Sequence, residues 1–253
     1  MIILLSPAKT LDYNPTEIKA SKTPVFKKET SELISILKKK SPADIGKLMH
    51  IKEKLSLLNY ERYQNFSDSY TKKNSKAAIL AFNGDVYVGL EAHTFSNKEL
   101  ERAQDSIRIL SGLYGVLRPM DKMQPYRLEM GTHLKNPKGS NLYKFWGDQV
   151  SLQINKDLKK SGSNYILNLA SKEYFSVLDK KILKGDLIEI AFKEYRDGKL
   201  KFISFSAKKA RGMMARYVVK NKIKNIEGLK GFNYENYSFE ESLSTENNLM
   251  FVR

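Results

Sequence analysis

Apolar and polar positions alternate in blocks that suit both strands and helices. Ile2–Ser6 is a short apolar run ending at Ser6-Pro7, the pattern of a buried strand. A polar stretch containing Lys and Pro follows to about Phe26. Thr30–Lys40 reads as a helix, with Leu33, Ile34 and Leu37 on one face and Lys38–Lys40 at the end where the dipole favours cations. Ser41-Pro42 restarts a helix, since Pro suits a first turn, and Leu55–Phe66 continues helically. Ala77–Phe82 is apolar and strand-like, and Asn83-Gly84 marks a turn. Ser96 and Glu99 form a capping box, so a helix starts at Ser96; Ile107–Leu110 is its end or a strand. A Gly-rich stretch runs from Ser111 to Pro119. Phe145–Lys160 is helical, Tyr165–Leu169 a strand and Ser171–Leu178 a helix. Leu187–Glu194 and Lys199–Ser206 flank Asp197-Gly198, a strong hairpin signal, and a helix runs from Ala207 to about Lys222. No repeat or linker divides the chain. The interspersed elements predict one globular domain of α/β (mixed α+β) class.

Composition narrows the function. The chain has 253 residues, 41% of them hydrophobic, enough for a substantial core. Zero Cys excludes disulfides, thiolate metal sites and cysteine nucleophiles, and three His leave little for an imidazole cage. No apolar run reaches membrane-spanning length and no signal segment is present, so the reducing cytoplasm is the expected location. The formal net charge is +16. That charge attracts polyanions, DNA and RNA first. It is also sorted along the chain. Lys199–Lys230 holds ten basic residues and one acid, Glu227, whereas the tail beyond is acidic.

Four segments carry candidate chemistry. On the helix from Ala207, the residues Ala207, Ala210, Met214, Tyr217 and Val218 form an apolar face. Lys209, Arg216 and Lys220 form one basic row, and Lys208, Arg211 and Lys222 a second bordering the apolar face. Aligned cations on a rigid support suit a phosphate groove; a solvated basic face is the plainer alternative. Gly212 and Ala215 are small enough for a backbone or ligand to approach. In Ser41–Leu55, two short helices meet near Met49–Lys52 in a pattern like a helix-hairpin-helix, whose backbone N–H groups grip phosphate. His50 and Lys52 occupy places where such hairpins carry Gly, and Lys52 and Lys54 supply charge instead; an ordinary helical corner fits equally. Ser6–Tyr13 follows the first strand, where ligand loops are common, and offers Lys9 and Asp12. Tyr114, Arg118, Tyr126 and Arg127 interleave aromatic and basic groups that suit bases and phosphates, or the tyrosines belong to the core. No phosphate loop or dinucleotide fingerprint is present, and Glu91…His93 and Glu129…His133 are lone pairs.

Six ordered stretches together resemble the YaaA family of peroxide-stress-resistance proteins. They are SPAKTLDY (Ser6–Tyr13), FNGDVYVGLEA (Phe82–Ala92), LSGLYGVLRPMDKMQPYRLEMGT (Leu110–Thr132), NLYKFWGD (Asn141–Asp148), NLASKEYF (Asn168–Phe175) and FSAKKARGMMARY (Phe205–Tyr217). The resemblance implies a single domain over 1–253 with a basic cleft and a helix-hairpin-helix-like element at about 41–58. It also implies duplex DNA binding, a cytosolic place in oxidative-stress survival, and links to DNA repair and to limiting free iron. By motif, it places Lys9, Lys208, Arg211 and Arg216 in or near the cleft. The leading expectation is a protein that binds duplex or distorted DNA through phosphates, using Lys9, Lys52, Lys54, Arg118, Arg127, Lys208, Lys209, Arg211, Arg216 and Lys220. The alternative is an enzyme acting on DNA or nucleotides with Lys9 or Lys208 as the reactive group. No cofactor, metal, membrane or obligate protein partner is expected.

Overall fold

A computed structural model describes all 253 residues. The chain opens with β1 (Ile2–Leu5) and β2 (Thr10–Leu11), then α1 (Lys27–Lys38), α2 (Pro42–Met49) and α3 (Glu53–Gln64). Next come β3 (Lys76–Ala77), α4 (Ala78–Ala81), β4 (Phe82–Asn83), α5 (Asp85–Leu90) and α6 (Asn97–Ser106). They lead to β5 (Ile107–Ser111), β6 (Gly115–Leu117), β7 (Lys122–Met123), α7 (Leu142–Trp146), α8 (Gln149–Ser161) and β8 (Tyr165–Asn168). The last third holds α9 (Lys172–Phe175), β9 (Asp186–Arg196), β10 (Lys199–Lys201), α10 (Ser204–Asn221), α11 (Ile226–Lys230), β11 (Ser238–Phe239) and β12 (Asn248–Val252).

The main sheet runs β11-β12-β9-β8-β1-β5-β6, with β10 hairpinned onto β9. β1 is central and parallel to both neighbours, Ile3 lying opposite Ile107 on β5 and Leu167 on β8. β8, β9 and β12 continue the parallel run, and β6 and β11 close the two ends antiparallel. Every residue of β1 and β5 is buried. Such unbroken burial requires cover on both faces, as in other parallel sheets. The carboxyl ends of β1, β5 and β8 therefore lie together at one edge, and the helices α6 and α8, which lead into β5 and β8, end at the other.

Several sequence expectations are borne out locally. Ser41 and Ser96 each cap a helix through a full capping box with Asp44 and Glu99. Ile107–Leu110 is a strand. Asp197 and Gly198 both take positive φ, as a two-residue hairpin turn requires. Other boundaries are corrected. Ala77–Phe82 is not a strand: Ala78–Ala81, with an alanine at each end, forms the turn α4 between two-residue bridges, alanine being the strongest helix former. The helix expected over Phe145–Lys160 breaks at Gly147, which has φ of 47°. The hairpin's second arm stops at Lys201, so α10 starts at Ser204 rather than Ala207. Ser171–Leu178 holds only the single turn α9. Lys222 is the left-handed cap of α10 and so leaves the row with Lys208 and Arg211.

Candidate functional site

The site at the carboxyl edge depends on one tight helix crossing. Gly212 of α10 lies against Val86 of α5, and Gly89 of α5 lies against the Lys209 carbonyl. A Cβ on Gly212 would sit 2.7 Å from the Val86 carbonyl carbon and 2.8 Å from the Leu90 nitrogen. Gly212 thus admits a backbone, not a ligand, and Ala215 is fully buried. This crossing puts Lys208 Nζ 3.9 Å from Asp85 of α5. The turn before α5 meets the loop after β1, since Gly84 abuts Ala8 and the Tyr87 hydroxyl donates to the Ser6 carbonyl at 3.0 Å. The loop of Lys9 and the first turns of α10 with Lys208 are in this way drawn to one edge.

The loop after β8 completes the edge. The Ser171 backbone N–H donates to Ser6 Oγ at 2.8 Å. Lys9 Nζ lies 2.8 Å from one oxygen of Glu129, and Arg127 donates to the other at 2.9 Å. Glu173 accepts the Gly131 N–H at 2.9 Å. Asn168, at the end of β8, donates to Glu189 at 2.8 Å. Arg211 is half-buried; burial lowers its pKa from the usual guanidinium value, and the charge of Glu189 opposes that shift.

Buried tyrosines pin this edge together. Tyr13 donates to the Met123 carbonyl at 2.7 Å, and Tyr63 donates to the Arg127 carbonyl. Burial pushes the hydroxyls of Tyr13, Tyr63, Tyr87, Tyr126 and Tyr174 well above the ordinary tyrosine value, so they remain neutral donors. Tyr114 and Tyr126 are 0% and 4% exposed, which resolves their reading in favour of the core. Arg127 keeps a buried Nε with no hydrogen-bond partner.

The ten cations singled out in the sequence fall into distinct groups. Lys9, Arg127, Lys208 and Arg211 gather at the carboxyl edge. Arg118 is at the opposite edge, held by Asp121 at 2.9 Å. Lys52 and Lys54 stand at the exposed corner where α2 meets α3, and neither forms an ion pair. His50 takes the left-handed place, φ 52°, at the end of α2. Along α10, Lys209 pairs with Glu235, Arg216 with Glu91 at 3.0 Å and Lys220 with Glu99 at 3.4 Å. Seven of the ten are thus tied to carboxylates, and only Lys52, Lys54 and Arg211 are not. The acids Asp85, Glu173 and Glu189 carry no signal of a role in the sequence, and Glu129 stands out there only as a lone pair with His133. GDVYVGLEA, RLEMGT and NLASKEYF each carry one of these acids into this edge.

A family profile described as Peroxide stress protein YaaA matches residues 1–243. The chain belongs to the YaaA family. It is 51% identical to a UPF0246 protein of Saccharophagus degradans, over 100% of this chain and 99% of that one. Identity is 48% to a UPF0246 protein of Aliivibrio fischeri and 50% to one of Polaromonas naphthalenivorans, each covering 100% of this chain and 98% of the relative. The YaaA stretches at Ser6–Tyr13, Phe82–Ala92, Leu110–Thr132, Asn168–Phe175 and Phe205–Tyr217 all contribute to the edge just described. No group of three or more His, Asp or Glu is placed to hold a metal ion, and no helix is long and apolar enough to cross a membrane.

Proposed function

We propose that this YaaA protein serves peroxide-stress defence by binding duplex or distorted DNA, chiefly through phosphates. The observation that carries this reading is Arg211. It is half-buried beside the carboxyl-edge loops, and its guanidinium has neither an ion pair nor a hydrogen bond within the protein. A half-buried guanidinium with free donors suits phosphate oxygens, which accept two parallel N–H bonds. The corner at Lys52 adds to it. No side chain caps the start of α3, and Lys52 and Lys54 flank its free backbone N–H groups. This is how a helix-hairpin-helix receives a phosphate, with lysine in place of glycine. Covered phosphates are also closed to iron cations, which links DNA binding to iron chemistry without an iron site.

The enzyme reading is less well supported. Lys9 and Lys208 are 64% and 53% exposed and face carboxylates. A nucleophilic lysine needs a desolvated amine or a neighbouring cation instead.

The test is a DNA titration of three variants at fixed salt, with folding checked by circular dichroism. Arg211→Ala loses about tenfold or more in affinity, the value of one charge-assisted phosphate contact. Arg211→Lys recovers part of it. Lys220→Ala, already paired to Glu99, changes little. Equal losses for Arg211→Ala and Lys220→Ala would show that only net charge matters.

A further inference from the structure

A cavity of about 580 Å³ opens at the amino edge of the sheet, across the molecule from the carboxyl-edge loops. Residues before β1 and β5 line it, together with the carboxyl-terminal ends of α6, α8 and α10. Four lysines face it without an ion pair: Lys22, Lys160, Lys222 and Lys224. Three arginines are its other cationic side chains. Arg108 is spent on Asp157 at 2.6 Å and on two carbonyls, and Arg118 on Asp121 and the Thr23 carbonyl. Arg102 uses only its Nε, on the Val219 carbonyl at 2.9 Å, which leaves its terminal N–H groups free. Asp105 and Asp157 are the only acids in the lining.

Helix ends account for part of this charge. Each carries about half a negative charge at its carboxyl terminus, so three helices call for one or two cations. The lining supplies seven cationic side chains against two carboxylates. Arg118 is further neutralised by Asp121 from outside the lining, and the four exposed lysines with Arg102 leave the cavity positive, which attracts an anion. Only four of the sixteen lining residues are hydrophobic, which disfavours an apolar ligand. The volume falls within the range of about 300–1,000 Å³ seen for small-molecule sites. A DNA duplex is too wide to enter it.

We propose that this cavity is a second anion site, which takes a small polyphosphate, either free pyrophosphate or the phosphate chain of a nucleotide. Arg102 forms the fixed wall, with Lys222 and Lys224 closing on the phosphates from the end of α10. The site is independent of the DNA reading, because Arg211, Lys52 and Lys54 take no part in it.

Calorimetric titration of the full-length protein tests it, with pyrophosphate, adenosine triphosphate and adenosine as separate probes at constant ionic strength. Pyrophosphate and the triphosphate bind and adenosine does not. Tripolyphosphate, with the same number of phosphates as the triphosphate, is the further probe: tighter binding of the nucleotide than of tripolyphosphate makes the source a nucleotide, and binding no tighter means that the phosphates alone are recognised. Lys222→Gln with Lys224→Gln weakens binding about tenfold or more. Lys28→Gln with Lys39→Gln, two exposed lysines of α1 and its end that belong to neither site, removes the same charge elsewhere and leaves binding unchanged. Absence of pyrophosphate binding at millimolar concentration, or equal loss in the two double variants, overturns the proposal.

Discussion

Replacing Gly212 by alanine sets two known effects against each other. Alanine in a helix interior is favoured over glycine by about 1 kcal/mol, so propensity alone predicts a stabilised protein. The crossing of α10 over α5 predicts the reverse. The new Cβ would lie 2.7 Å from the Val86 carbonyl carbon and 2.8 Å from the Leu90 nitrogen, and closer still to the Val86 oxygen. Unstrained heavy atoms sit at about 3.5–4.0 Å, and the Val86 oxygen is the nearest obstacle, so the two helices must part by roughly 1.5 Å or more. The obstructing atoms are backbone and cannot rotate aside. Overpacking of this kind costs about 1–3 kcal/mol or somewhat more, and a backbone obstruction belongs at the upper end. The net loss is about 2 kcal/mol, or a melting temperature lower by about 4–8 °C for a chain of this size. Thermal unfolding followed by circular dichroism reads this directly. A Gly212→Ala protein as stable as the parent would refute the crossing, and with it the placement of Lys208 against Asp85.

Other consequences are open to simple measurement. Lys52→Ala with Lys54→Ala weakens DNA binding in an anisotropy titration with little change in stability, since surface lysines contribute little to folding; unchanged affinity reduces α2–α3 to a structural corner. Glu194 is 3% exposed, and burial opposes its charge, but hydrogen bonds from Ser206, Arg196 and Arg253 outweigh burial and bring its pKa down to about 2. Its folded value lies below the unfolded one of about 4.3, so its contribution is present at neutral pH and lost as the pH falls towards 2. Glu194→Gln therefore melts lower than the parent at pH 7, and the gap closes in acid; a gap independent of pH would contradict this.

Local signals in the sequence were strong where one residue type decides the geometry. Ser41, Ser96 and Asp197-Gly198 act within four residues, so their caps and turn were legible. Ala77–Phe82 was misread because six apolar residues fit a buried strand or a buried helical turn equally. The strand β12 was missed altogether. Asn248–Val252 is short and follows an acidic stretch, and its place beside β9 depends on a partner about sixty residues earlier. The site divides in the same way. The cations of α10 were visible as rows, but their carboxylate partners Glu235, Glu91 and Glu99 come from three other segments. Only the fold shows that Arg211 is the one cation within Ser204–Asn221 without a carboxylate partner. The face of Gly212 was identified as a close approach, while what approaches it, Val86, lies more than a hundred residues away.

If DNA is held through phosphates, its binding weakens steeply as salt is added. Fluorescence anisotropy with a labelled duplex, repeated over a series of salt concentrations, gives the slope of log K against log salt. With about five phosphates neutralised, the slope is near −4 to −5. An affinity that stays flat from low to physiological salt would contradict phosphate-driven binding and leave the free guanidinium of Arg211 without the role assigned to it.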